Sequence, residues 1–313
     1  MDSGSRELGE RAAGAGDSPP LDPVLDDLHA APFTLVRPGE QRRPLVFASP
    51  HSGRLYPAAF LWQSRLSGAD LRRSEDAFAE ELFESAVELG APLLSARFPR
   101  AYVDANRAPN ELDPAMFDGP LPVPADVSSP RVQAGLGVIP RIVRDGAEIY
   151  RDRLNPAEAE ARLTRLHRPY HAALDRLVRE TQAQFGAAIV IDCHSMPSAA
   201  AAPDIVLGDR YGTAAAYAVM RRAEQAFQSS GFSVARNAPY AGGYTTHLYG
   251  QPARGIHALQ VEINRALYLD EERIQPSARF AEIRARLAKA LGQFAEIEAS
   301  LLAPRRNIPW AAE

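Results

Sequence analysis

An α/β fold, with one sheet covered by helices on both faces, is what this 313-residue sequence predicts. Two patterns point to it. Short apolar runs alternate with stretches of helical periodicity along the chain. Gly, Pro or polar clusters stop one kind of segment before the next begins. The composition agrees: 46% apolar and 24% charged residues are ordinary for a globular protein and exclude a fully disordered or fibrous chain.

Residues 1–20 lack the basic start and the apolar core of roughly 7–15 residues that a secretory signal needs. Residues 1–30 read as a flexible, solvated tail, and 31–313 as one α/β domain. Apolar residues 45–48 predict a buried strand that ends at Ser49-Pro50. Phe78, Leu82, Phe83, Val87 and Leu89 predict a helix over 74–90, with Ser74 as N-cap and Gly90 as the stop. Residues 91–95 start another strand, and 102–107 are a further strand-like stretch. Prolines 109, 114, 120, 122, 124 and 130 remove backbone donors and make 109–130 an irregular surface excursion or lid.

A long helix starts where Asn155 can cap and Pro156 occupies the first turn, and runs to Phe185 with a bend at Pro169. Gly186 ends it. Strands follow at 187–192 and 204–208, then a helix at 212–229. Residues 259–264 alternate Leu-Gln-Val-Glu-Ile-Asn, a strand with one polar face. The last helix, over 275–302, carries Phe280, Ile283, Leu287, Leu291, Phe294, Ile297 and Leu301 at steps of three and four.

The formal net charge of −4 argues against nucleic acid, whose binding needs a basic excess. No apolar run reaches the ~20 residues that span a bilayer. Cys193 stands alone, so no internal disulfide and no cysteine-rich metal motif can form. A cytoplasmic protein with a small-molecule partner, and with neither nucleic acid nor membrane, is expected.

Three strand tips carry candidate chemistry. Pro50 stops the first strand and leaves His51 at the carboxyl edge, where open α/β sheets place ligands. Period two puts Asp192 and His194 on one side of the second strand, with Ile191 and Cys193 on the other. Gln260, Glu262 and Asn264 share the polar face of the third. Two imidazoles with a carboxylate suit a catalytic zinc that keeps its fourth position for water. Asp76 is the preferred carboxylate ligand and Glu75 its substitute, although acidic residues at a helix start also serve the dipole.

Other motifs read less specifically. His167 and His171 lie four apart, but Arg168 stands where the helical zinc motif needs glutamate and Pro169 disturbs the helix. A packed or surface role is expected there. Asp104 and Asn106 share a side, followed by Arg107, which can bind a carboxylate bidentately. Arg100, Arg141, Arg144 and Arg265 are further cations. The glycine-rich stretch 240–250, with Thr245 inside it, lines a pocket or forms a plain turn. No Gly-x-Ser-x-Gly elbow exists, and Cys193 points away from His194, so a serine or cysteine nucleophile is poorly supported.

Pro50-His51-Ser52-Gly53, Ser74-Glu75-Asp76-Ala77-Phe78, Tyr102-Val103-Asp104-Ala105-Asn106-Arg107, Asp192-Cys193-His194-Ser195-Met196 and Gln260-Val261-Glu262-Ile263-Asn264-Arg265 together resemble the N-formylglutamate amidohydrolase (deformylase) family. The likeness runs in order from about residue 40 to 270. It implies the fold of zinc-dependent exopeptidases and aspartoacylases, a single mixed sheet flanked by helices. It also implies one zinc held by two histidines and a carboxylate, a glutamate base, and an Asn-Arg pair for the substrate carboxylate. His51, His194, Glu262 and Asn106-Arg107 match those roles; Arg100, Arg141 and Thr245 are further expected substrate contacts. The carboxylate ligand matches less well: zinc carboxypeptidases place it three residues after the first histidine, where this chain has Arg54, and neither Asp76 nor Glu75 has that spacing. The expected reaction is hydrolysis of N-formyl-L-glutamate to glutamate and formate. The alternatives are an N-acyl amino-acid deacylase, a carboxypeptidase-like enzyme, or a non-catalytic protein that binds an acidic metabolite.

Overall fold

The computed structural model describes residues 22–143, 146–199 and 201–302. Seven strands form one sheet: β1 (Phe33–Val36), β2 (Leu45–Ser49), β3 (Leu93–Ala96), β4 (Ala188–Met196), β5 (Ile205–Gly208), β6 (Val234–Arg236) and β7 (Ile256–Asn264). Their spatial order is β1-β3-β2-β4-β7-β5-β6. Strands β3, β2, β4 and β7 run parallel, whereas β1 pairs antiparallel with β3 and β5 antiparallel with β7, so the sheet is mixed. A separate hairpin joins β8 (Leu269–Asp270) to β9 (Gln275–Pro276). The α-helices are α1 (Pro23–Ala30), α2 (Ala58–Gln63), α3 (Gly68–Arg72), α4 (Ala79–Leu82), α5 (Ser85–Glu88), α6 (Pro130–Gln133), α7 (Pro156–Arg162), α8 (Arg168–Phe185), α9 (Tyr217–Ser229), α10 (Tyr244–Tyr249) and α11 (Phe280–Ala295). Among the described residues no helix is long and apolar enough to cross a membrane.

Strand alternation divides the core into two layers. Val46, Ala48, Val190 and Ala258 pack beneath α7 and α8, against Leu163, Tyr170 and Leu174. Leu45, Phe47, Ile189, Ile191, Leu259 and Val261 point the other way, into a layer closed by α9 and α11. Each fully buried aliphatic side chain contributes roughly 1.5–3 kcal/mol, and a parallel sheet covered on both sides needs apolar residues on both. Asp192 and His194 continue the parity of Val190, and Gln260 and Glu262 that of Ala258. The polar site therefore opens on the α8 side, where the apolar layer stops.

Several local expectations hold. Asn155 Oδ1 accepts from the Ala157 N–H at 2.9 Å and caps α7, and Gly186 ends α8 in the left-handed region. Segment 109–130 is irregular apart from a 3-10 turn at Pro114–Met116 and the start of α6. The bend expected at Pro169 is instead a π-helical turn at Leu163–His167, between α7 and α8. The last eight residues of the expected tail form α1, whose Leu28 is fully buried and whose N-cap, Asp22, accepts from the Ala59 N–H at 2.9 Å. The remainder of that tail, 1–21, lies outside the described residues.

Three expected elements take another form, each for a tertiary reason. The helix over 74–90 is only α4 and α5. Ser74 does not cap it: its hydroxyl donates to the Leu71 carbonyl, and Phe78 adopts φ +62 just before α4. Residues 74–78 are drawn out of helical conformation because the Asp76 N–H donates to the His51 carbonyl and its side chain is held by the histidines. Residues 102–107 are turns, not a strand; Arg107 N–H closes back on Asp104 O, and Arg162 of α7 stacks 4.0 Å over the Tyr102 ring. Strand β4 runs on through Met196, because β7 pairs with it along its whole length, so His194 lies inside a strand rather than after one.

The turn after β2 leaves no room at Gly53, where an added Cβ would lie 2.1 Å from the Phe98 carbonyl oxygen. Gly53→Ala is expected to lower stability by roughly 1–3 kcal/mol, read from the urea unfolding midpoint. An unchanged midpoint would contradict this close approach.

Candidate active site

The three strand tips meet at the carboxyl edge of the parallel strands. β2 stops at Ser49 while β4 and β7 run on, so the turn carrying His51 folds over the exposed end of β4. The His51 and His194 rings stand 4.7 Å apart, edge to face. Both present Nδ1 to the same oxygen: His51 Nδ1 lies 3.2 Å and His194 Nδ1 2.9 Å from Asp76 Oδ2. The other Asp76 oxygen accepts from Arg265 Nη2 at 2.9 Å. All three residues are buried.

Asp76 and Glu75 were alternatives in the sequence, and the geometry separates them. Glu75 turns away, accepting from the Tyr56 hydroxyl at 2.8 Å and Arg72 Nε at 3.1 Å. His51, Asp76 and His194 each offer one donor atom, and these atoms lie within 4.8 Å of one another.

Each imidazole is backed by a second carboxylate. Asp104 Oδ1 sits 2.7 Å from His51 Nε2, and its other oxygen accepts from Arg100 Nη2 at 2.8 Å. Asp192 Oδ1, buried and without a well-aligned hydrogen bond, sits 3.0 Å from His194 Nε2. With Nε2 turned to a carboxylate, Nδ1 is free to act as a ligand, the usual orientation of a metal-bound histidine. Asn106 Nδ2 joins the network at 3.1 Å from Asp192 Oδ2 and 3.0 Å from His194 Nε2.

Buried carboxylates crowd the two imidazoles. Among the described residues, Asp76 pairs with Arg265 and both histidines, Asp104 with Arg100 and His51, and Asp192 with His194, while the buried Glu262 makes no ion pair. Burial works against the His194 imidazolium, yet Asp192, Asp76 and Glu262 outweigh it and hold its pKa well above the ordinary value. Burial also opposes the Asp76 carboxylate, but hydrogen bonds from His194 and His51 keep it well below the usual range. Asp104 is held low in the same way by His51 and Arg100 against burial. The three converging donors of His51, Asp76 and His194 fit a divalent cation.

Glu262 faces the same cavity from β7. Burial pushes its carboxyl up to about 7, His194 pulling it back and Asp76 adding to the rise. Gln260 Nε2 donates to its Oε1 at 2.9 Å. The cavity measures about 680 Å³, and its lining includes Arg73, Arg107, Arg131 and Tyr240. Arg107 donates to two carbonyls, Leu136 O at 3.0 Å and Asn106 O at 2.8 Å, and ion-pairs with no carboxylate among the described residues.

Two expected substrate contacts fall elsewhere. Arg141 leaves this cavity for a second one, where it pairs with Glu148 at 3.3 Å and Asp113 at 3.5 Å; the proline-rich excursion supplies that Asp113 partner. Thr245 is fully buried behind Asn106, and its backbone N–H donates to Asn106 Oδ1 at 2.7 Å. Stretch 240–250 is neither loop nor plain turn throughout, since it ends in α10; Gly243 just before that helix admits the Asn106 side chain, which a Cβ would meet at 2.4 Å. Arg144 lies outside the described residues. Tyr240 to Gly243, the start of the glycine-rich stretch, do line the cavity. Arg73 and Arg131 were not anticipated; single residues of common type, distant in sequence, carried no local pattern to mark them.

A model of the N-formylglutamate amidohydrolase family matches residues 43–269. The N-formylglutamate deformylase of Pseudomonas aeruginosa is 32% identical over 259 residues, covering 80% of this chain and 88% of that protein. The one from Pseudomonas putida is 29% identical over 240 residues, covering 74% and 83%. The crystal structure of N-formylglutamate amidohydrolase from Ralstonia eutropha is similar with a TM-score of 0.80 at 37% identity, covering 85% of this chain and 98% of that one. With the family model spanning most of the chain and its motifs gathered at one sheet edge, this chain belongs to the N-formylglutamate amidohydrolase family.

Proposed function

We propose that this chain hydrolyses the formyl amide of N-formyl-L-glutamate with one zinc ion, for which His51, Asp76 and His194 are the ligands. The observation that carries this reading is the approach of both Nδ1 atoms to one buried Asp76 oxygen, beside a carboxylate on the neighbouring strand. The names of the similar enzymes point to the same substrate. Zinc in that position supplies Lewis acidity, for the amide oxygen and for a water nucleophile alike.

The chain's own residues do the rest. Glu262 takes a proton from the attacking water as its oxygen bonds to the formyl carbon. It then delivers that proton to the amine nitrogen as the C–N bond breaks, giving formate and glutamate. A carboxyl with a pKa near 7 suits both directions of transfer. Gln260 orients Glu262 by holding one of its oxygens. Arg107, with N–H groups left over from its carbonyl contacts, and Asn106 bind a substrate carboxylate. Arg100 adds positive charge against the developing oxyanion while it pairs with Asp104. Asp104 and Asp192 hold the imidazoles in the tautomer that leaves Nδ1 free to bind zinc.

Glu262→Gln should lower kcat by roughly 10²–10⁴-fold while elemental analysis still finds zinc. Near-normal turnover in that variant would remove Glu262 as the base. His51→Ala should emerge from purification without zinc, and full retention would take His51 out of the ligand set. Asp104→Asn should weaken zinc binding by about 10–100-fold, measured by competition with a chromogenic chelator; an unchanged affinity would remove it as the His51 partner. Formate release from N-formylglutamate should cease with chelator and return with zinc. If N-acetylglutamate or a peptide were cleaved in preference, the deacylase or carboxypeptidase-like alternative would replace this reading.

A further inference from the structure

The pair His167 and His171 has no part in the proposed chemistry, yet both rings lie close to it, His167 buried and His171 half-buried, and pack together 4.6 Å apart. The π-helical turn Leu163–His167 ends at the first of them, and the second lies one turn further on, in α8. His167 Nε2 is 2.9 Å from the Arg107 carbonyl oxygen, and His171 Nε2 is 2.8 Å from the Ala105 carbonyl oxygen. These two carbonyls flank Asn106. The carbonyl between them accepts from the Tyr244 N–H at 3.3 Å and from Arg107 Nη1 at 2.8 Å.

Three consecutive carbonyls, 105 to 107, thus receive donors although the segment belongs to no strand or helix. Buried carbonyls need such partners. A carbonyl can only accept, so each imidazole must donate its Nε2 proton. Burial, helped by His167, lowers the His171 pKa to about 3, and burial lowers that of His167, which keeps both rings neutral. Tyr244 packs against the pair, its ring 5.2 Å from His171 and 6.2 Å from His167. Two helices therefore grip one turn, and that turn carries the Asn106 side chain to His194 and Asp192.

We propose that His167 and His171 are positioning residues that clamp the carbonyls on either side of Asn106 and so hold Asn106 and Arg107 in place to receive a substrate carboxylate. The inference rests on the reading of Asn106-Arg107 as the carboxylate subsite. Neither imidazole touches substrate; their effect passes through the backbone they hold. A displacement of about 1 Å in a binding group can cost on the order of 10²-fold.

Glutamine and asparagine replacements separate this role from bulk packing. The Gln amide nitrogen sits near the position of Nε2 and can reach the carbonyl, whereas the Asn amide nitrogen mimics Nδ1 and cannot. The full zinc-loaded chain is titrated calorimetrically with glutarate, a dicarboxylate without a scissile bond, and KM and kcat are measured for N-formylglutamate. His171→Asn and His167→Asn should raise the glutarate Kd and the KM by roughly 10-fold or more, with zinc content unchanged and kcat affected less. His171→Gln and His167→Gln should bind glutarate within a few-fold of the parent. Equal affinity in the Asn and Gln variants, whether both normal or both weak at the parent Tm, overturns the clamp. Arg107→Met is the control. If it alone weakens glutarate, the subsite stands and the clamp falls; if it binds glutarate normally, the subsite reading fails and takes the clamp with it.

Discussion

One oxygen of Asp76 holds the candidate site together. It meets the Nδ1 atoms of two histidines that lie 143 positions apart in the chain, one in a turn and one inside a strand. A buried carboxylate is tolerated only with partners of opposite charge or a metal, and here Arg265 takes the second oxygen. The constraint propagates outward. To bring Asp76 to this point the backbone gives up a helix at 74–78, ties itself to the His51 carbonyl, and turns through a left-handed Phe78.

Around that contact the carboxylates are arranged in two ranks. Asp76 faces the imidazoles at Nδ1; Asp104 and Asp192 stand behind them at Nε2. Glu262 is set apart on β7, directly opposite His194 in the strand register, and its environment is different. Hydrogen bonds from the histidines keep Asp76 ionised, while burial dominates at Glu262 and lifts it towards neutrality. Groups of the same chemical type, pushed apart in pKa by their surroundings, can serve as ligand and as base within one cavity.

The irregular segment 97–107 joins the two halves of the site. It is held at Tyr102 by the Arg162 guanidinium, at Asp104 by His51 and Arg100, and at Asn106 by the start of α10. A stretch without regular structure is thereby fixed by a side chain of α7 and by backbone N–H groups of α10, and the proposed clamp by His167 and His171 belongs to the same scheme. Rigid elements supply the precision that the turn lacks by itself.

Period-two alternation by itself determined much of this protein. It set Val190 against Ile191 and Gln260 against Val261, and with them the two-layer core, the faces of Asp192, His194 and Glu262, and the edge at which they emerge. Helix boundaries with local chemistry, such as the Asn155 cap and the Gly186 stop, were legible for the same reason: the responsible atoms are neighbours in sequence. Tertiary structure alone decided what depends on contacts between remote segments. It chose Asp76 over Glu75, broke the helix at 74–90, sent Arg141 to Asp113 and Glu148, and brought Arg131 to the cavity. Ordered family motifs named the residues that gather. How they meet follows from a buried charge finding its partners across the fold, an interaction that no local pattern encodes.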